Sequence, residues 1–139
     1  MLAATAGVPV SHPAQAAPPA ITWNSAQTVS GDSDVSTTGS LVYAFNFGGT
    51  TAPPSTTVNG VTFAPFTIPA GIVLSATVGN VTISESPGEL YASNSFGSAS
   101  APFSSLSSSY QALLGTGAYA TIIPTITVTM AGLTSGQQY

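Results

Sequence analysis

The sequence predicts an all-β protein, a β-sandwich or jelly roll with one short amphipathic helix and an extended N-terminal arm. Three observations carry that expectation. Short runs rich in Val, Ile, Thr, Phe and Tyr alternate between apolar and polar residues, as half-buried strands do. Glycine, proline and asparagine punctuate those runs at short intervals. Only once, between residues 103 and 114, does the apolar period lengthen to three and four residues.

The arm comes first. Over residues 1–19, Leu2, Ala4, Ala6, Val8 and Val10 fall on one side of an extended segment, against Ala3, Thr5, Gly7, Pro9 and Ser11. Pro9 cannot donate to a ladder, so this is an edge or inserted strand, and Pro13, Pro18 and Pro19 form a stiff spacer behind it. The second unit, residues 20–139, is a sandwich domain opened by a short strand at 20–24 that carries Trp23. A turn-rich loop follows at 30–40, then a strand at 41–47 with Leu41, Tyr43, Phe45 and Phe47 facing inward. Asn59 and Gly60 within 57–66 favour a tight type I′ hairpin, because both tolerate positive φ. Two more strands flank Gly79 and Asn80 within 73–84.

Phe103, Leu106, Tyr110, Leu113 and Leu114 predict one helix of about three turns, capped by Ser104 or Ser105 and stopped at Gly115. A last strand group covers 119–130, where Ile122, Pro124, Ile126, Val128 and Met130 share a face. The expected core is Leu41, Tyr43, Phe45, Phe63, Ile83, Leu106, Tyr110, Leu113, Ile126 and Val128.

Composition closes several function classes. The 139 residues include no lysine or arginine, four acids (Asp32, Asp34, Glu85, Glu89) and one histidine, His12. Nucleic-acid binding and docking on anionic lipid both require cationic side chains, so neither partner is expected. Nor does any apolar run approach the roughly 20 residues needed for membrane insertion as a helix. Charged residues make up 3% of the chain, where about 25% is usual, which leaves little repulsion to oppose strand pairing between copies. Residues 1–20 read either as the tail of a secretory signal, with Ala14, Gln15, Ala16 as its small-x-small site, or as a mature arm. Both readings place the protein outside the cell or on its surface.

The phrases GDSDVSTTGSLVYAFNFGG (31–49), TVNGVTFAPF (57–66), SSLSSSYQALLGTGAY (104–119) and ITVTMAGLTSGQQY (126–139) resemble a family of secreted bacterial β-sandwich domains. That family is found in proteins with PEP-CTERM-type sorting signals. The resemblance covers residues 23–139 and implies an extracellular jelly roll similar in outline to galactose-binding-like modules. In such domains the phrase at 133–139 leads into further strands, so either the sequence is partial or something else completes its sandwich.

Candidate sites are few. Asp32 and Asp34, two apart in a glycine-containing loop, are able to share a calcium ion, though acids in turns commonly cap the backbone instead. Trp23 and Tyr91 are the candidate glycan-stacking rings. Asn80, Val81, Thr82 is an N-glycosylation sequon, and the Ser/Thr-rich stretch at 50–57 suits O-glycans or is a plain polar loop. Glu85 and Glu89 share a loop around Pro87 and Gly88, which argues for solvated acids and against a glycosidase pair. His12 has no cysteine or lysine to work with, so no catalytic residue is assigned.

The expectation for function is a non-enzymatic secreted subunit that polymerises head to tail into a filament or surface layer. Its donor strand is the arm, through Leu2, Ala4, Ala6, Val8 and Val10. The alternative is a carbohydrate-binding module of a larger secreted bacterial protein.

Overall fold

A computed structural model describes residues 25–49, 54–71, 73–121 and 125–134. The predicted arm and Trp23 lie outside the described residues, as do Ile122 and Pro124. Among the described residues there are eight strands: β1 (Phe45–Gly48), β2 (Thr56–Val58), β3 (Val61–Thr67), β4 (Ser75–Val78), β5 (Val81–Ser86), β6 (Leu90–Ser93), β7 (Gly117–Ala120) and β8 (Thr125–Met130). One helix, α1 (Ser108–Leu114), precedes β7.

These strands form three separate small sheets, ordered β1-β3-β2, β4-β5-β8 and β6-β7. None closes into a barrel or a sandwich, so the jelly-roll expectation is overturned. The fold is a mixed α/β arrangement. Alternation reports that a strand has two different faces, and it carries no information on which strand lies beside it or what covers the sheet. Here β1 pairs with β3 in parallel, Phe45 beside Ala64 through Gly48 beside Thr67, a pairing that no hairpin signal announces. The 119–130 group divides, with β7 antiparallel to β6 and β8 antiparallel to β5.

Both tight turns follow from their residues. Asn59 and Gly60 take φ of 48° and 78°, the left-handed pair a type I′ hairpin requires, and β2 and β3 register as Val58 against Val61. Gly79 takes φ 56° and sets Val78 against Val81. Pro65 is accommodated in β3 because Ala64 and Ile68 donate to Ala44 and Gly48 on the β1 side, which turns the proline nitrogen away from β1. On that other side, β2 pairs only as far as Phe63.

The strand expected at 41–47 begins only at Phe45, and Leu41 is 66% exposed. Its polar face is the deeper one: Asn46 and Gly48 are buried, while Phe45 and Phe47 are half-buried with their rings against Phe66 at 5.3 and 4.7 Å. The predicted helix is also shorter. Residues 103–105 form a 3-10 turn, Leu106 is extended, and the cap is Ser107, whose hydroxyl accepts from the Tyr110 amide at 3.1 Å. A serine-rich run offers several caps, and sequence alone does not choose among them.

Two apolar clusters hold the sheets. Phe66, Ile68, Ala76, Val81, Ile83 and Leu90 gather residues from all three, and Val58, Leu106 and Tyr110 seat α1 against β2. Of the expected core, Ile83, Leu106 and Tyr110 are buried, and Tyr43, Phe45, Phe63 and Leu113 are half-buried. Leu41, Ile126 and Val128 are exposed. The last two are exposed because nothing among the described residues covers the outer third of the β4-β5-β8 sheet.

Candidate functional site

Among the described residues, β8 is an edge strand. Antiparallel register places Ile126, Val128 and Met130 opposite Glu85, Ile83 and Val81, so its apolar row lies on the core face of the sheet. Val81 and Ile83 are buried, yet Ile126, Val128 and Met130 are 41%, 49% and 49% exposed. Every residue of β8 is exposed.

Backbone direction along the edge follows from one bond. The Ala131 amide donates to the Asn80 carbonyl at 2.9 Å, so odd-numbered residues here point their N–H and C=O toward β5. Ile126, Val128 and Met130 therefore aim theirs away from β5. Charge, proline and bulges, the features that blunt natural edges, are absent from β8.

At its Met130 end the row runs into a cleft of about 470 Å³, lined by the 36–43 loop with Val61, Met130 and Leu133. Leu41, Val42 and Leu133 expose apolar surface there. Two bonds hold its walls: the Tyr43 hydroxyl donates to the Ala131 carbonyl, and the Asn59 amide donates to the Val35 carbonyl at 2.8 Å. No family model, no curated protein and no solved structure matches the chain. Function therefore has to be read from these residues.

Asp32 and Asp34 come together with Tyr110 and Ser107. Asp34 accepts from the Ser30 amide at 2.7 Å, the Ser30 hydroxyl at 2.5 Å, the Gly31 amide at 3.2 Å and the Tyr110 hydroxyl at 3.3 Å. Asp32 accepts from the Ser107 hydroxyl at 2.6 Å. The Ser30 hydroxyl and then the backbone amides hold the Asp34 carboxyl below its ordinary range, while burial and then the nearby Asp34 charge push the Tyr110 phenol up. These bonds tie the loop to the helix start and engage both oxygens of Asp34 and Oδ1 of Asp32 in capping the backbone and hydroxyls. Among the described residues, no group of three or more His, Cys, Asp or Glu gathers as a metal site.

Glu85 is not a solvated loop acid. It sits in β5, 5% exposed, with neither carboxyl oxygen hydrogen-bonded and Gly88 packed against it. Period-2 reading had placed it beyond the strand. Glu89 instead accepts from the Tyr91 hydroxyl. Tyr91 is half-buried, stacked on its cross-strand neighbour Tyr119 at 5.7 Å, and Phe96 meets Tyr119 edge-on at 6.1 Å. Asn80 is exposed in the β4–β5 turn. His12 and the five residues expected in a donor strand lie outside the described residues, as does Trp23.

Sequence reasoning missed the β8 edge as a site, because it had already spent Ile126 and Val128 on the core. The signal was available: residues 125–130 alternate Thr with Ile, Val and Met, without one charge. Among the described residues, no helix is long and apolar enough to cross a membrane.

Proposed function

We propose that this chain is a non-enzymatic structural subunit, secreted and assembled copy to copy into an extracellular filament or surface layer by strand addition. The observation that carries the reading is β8, an unblunted edge whose apolar row continues the core face and is left half open. Fully burying an aliphatic side chain contributes roughly 1.5–3 kcal/mol, so covering the exposed half of three such residues, with ladder bonds added, supports a durable joint without any ion pair. Placement of the acids favours the non-enzymatic side. Asp32 and Asp34 brace a loop, Glu85 is enclosed and Glu89 holds Tyr91, so no two carboxyls flank the cleft.

Light scattering and electron microscopy of the purified full chain test this reading. Ordered fibres or sheets that grow with concentration are expected, and monomers persisting at high concentration count against it.

The paired rings of Tyr91 and Tyr119 favour a second reading, a carbohydrate-binding module. Tyr91 borders a shallow groove with Asn94, which suits a neutral sugar ring better than a charged one. A Tyr91→Ala change should then abolish retention on neutral polysaccharide.

A further inference from the structure

We propose that the outer edge of β8 is the seat of residues 2–10 of a second copy, bound antiparallel with Val8 opposite Val128. This rests on the self-assembly reading and names the surface and the partner it uses. Two features of the arm have to fit this edge at once: its apolar residues are the even ones, and Pro9, an odd one, lacks an N–H.

Paired residues on neighbouring strands project their side chains to the same face. An apolar row laid over Ile126, Val128 and Met130 therefore brings even residues of the arm opposite even residues of β8. In an antiparallel pair, those opposed residues exchange both hydrogen bonds wherever the acceptor strand points its groups outward, as Ile126, Val128 and Met130 do. The even residues of the arm then face β8, and Pro9 turns its nitrogen to the far side, where no donor is needed.

A parallel arm fails this test. With the same apolar rows opposed, parallel bonding engages the residues on either side of each opposed one, so Pro9 would be asked to donate. An arm shifted by one residue fails as well, since it carries Thr5 and Pro9 onto the core face. Stereochemistry leaves the antiparallel, even-on-even arrangement.

Setting both valines of the arm on the three-residue row, with His12 kept off it, selects the register. Val10 then lies opposite Ile126, Val8 opposite Val128, and the small Ala6 opposite the long Met130. Four residues further, about 13 Å along the arm, Leu2 reaches the cleft where Leu41, Val42 and Leu133 expose apolar surface. Neither the arm from 2 to 10 nor the row it covers carries a charge, so no group is stranded on docking. With Pro13, Pro18 and Pro19, the sequence behind the arm has the composition of stiff spacers, which favours reaching another copy over folding back.

The chain has no cysteine, so disulfide trapping reads the contact directly. Full-length Val8→Cys and Val128→Cys variants, one of them isotopically labelled, are mixed under mild oxidation, and the crosslinked species is weighed. A hydrogen-bonded antiparallel pair sets Cα atoms about 5.5 Å apart, inside the span a disulfide accepts. The expected result is a mixed Val8–Val128 dimer at least tenfold more abundant than the one formed with Thr127→Cys, whose side chain lies on the opposite face. Wild-type chain that polymerises while this trap fails, or traps equally at Thr127, overturns the β8 seat and leaves self-assembly standing. Wild-type chain that never polymerises overturns both. A Val8→Cys/Val128→Cys double variant that closes within one monomer shows the arm on its own edge and overturns the second copy as partner.

Discussion

The Thr116 hydroxyl donates to the side-chain oxygen of Asn46 across seventy residues of sequence, joining the α1–β7 turn to β1. Asn46 is 1% exposed, and its amide nitrogen donates in turn to the Pro54 carbonyl at 3.1 Å. One buried amide thereby ties three separate segments. Replacing it empties a site that is 1% exposed and takes both bonds away, so Asn46→Ala should cost about 1–3 kcal/mol. Urea denaturation, with the midpoint lowered at unchanged slope, is the measurement. A change under 0.5 kcal/mol would show that the bridge is ornamental.

Asn46 also shows what the sequence could and could not disclose. Alternation in 41–47 announced a strand, and β1 is there, but it assigned the asparagine to the solvent side. Burial on both sides of β1 comes from Phe66 on one face and from Thr116 on the other, both distant in sequence. Local chemistry was read well where it is self-contained. The Asn59–Gly60 turn and the apolar face of α1 at Tyr110 depend on neighbours within a few residues. Sheet membership was not legible, since the parallel β1–β3 pairing and the parting of β7 from β8 depend on which strands meet. The β8 edge was hidden for the same reason: Ile126 and Val128 look like core until their exposure among the described residues is seen.

Glu85 should be replaceable with profit. Both carboxyl oxygens are enclosed without a hydrogen bond, and an unsatisfied buried polar group costs about 1–3 kcal/mol. An apolar residue of similar volume removes that cost, so Glu85→Met should raise the melting temperature. Gly88→Ala should lower it, because the added Cβ would stand 2.9 Å from the Glu85 Oε1. In the double variant the Gly88 penalty should shrink, as the methionine chain is able to shift. A calorimetric scan of the three proteins decides the matter, and a destabilised Glu85→Met would mean that the carboxyl has a role the described residues do not explain.

The Asp34 brace makes a signed pH prediction. Its folded pKa is lowered from 3.8, chiefly by the Ser30 hydroxyl and the Ser30 and Gly31 amides. The stabilisation is therefore present above pH 3.8 and is lost as pH falls through the lowered value. Asp34→Asn should melt earlier than wild type at neutral pH, with the two curves converging in acid. Tyr110 works at the other end: its folded pKa is raised from 10.0, by burial first and the Asp34 charge second, so stability present below pH 10.0 is lost as pH rises through the raised value. Tyr110→Phe should flatten that alkaline loss. Chelation should leave the melting temperature unchanged, since the carboxyl oxygens already serve Ser30, Gly31, Ser107 and Tyr110.

Assembly through an uncharged joint has its own salt signature. An interface built on Lys and Arg weakens as ions screen it, whereas this chain has neither residue and carries a net charge of −4. The only long-range force between copies is repulsion. Raising sodium chloride from about 50 to about 500 mM shortens the screening length from roughly 14 to 4 Å, so polymer should form at equal or lower protein concentration. Sulfate should promote it further, because excluded salts strengthen apolar burial. Val128→Asp places a carboxylate in the middle of the half-exposed β8 row, where docking would have to strip its water, and should raise the critical concentration at least tenfold at either salt. Sedimentation of the polymer across a salt series measures all three effects. Assembly that dissolves as sodium chloride rises would point to ionic joints, which neither this sequence nor the β8 edge is equipped to make.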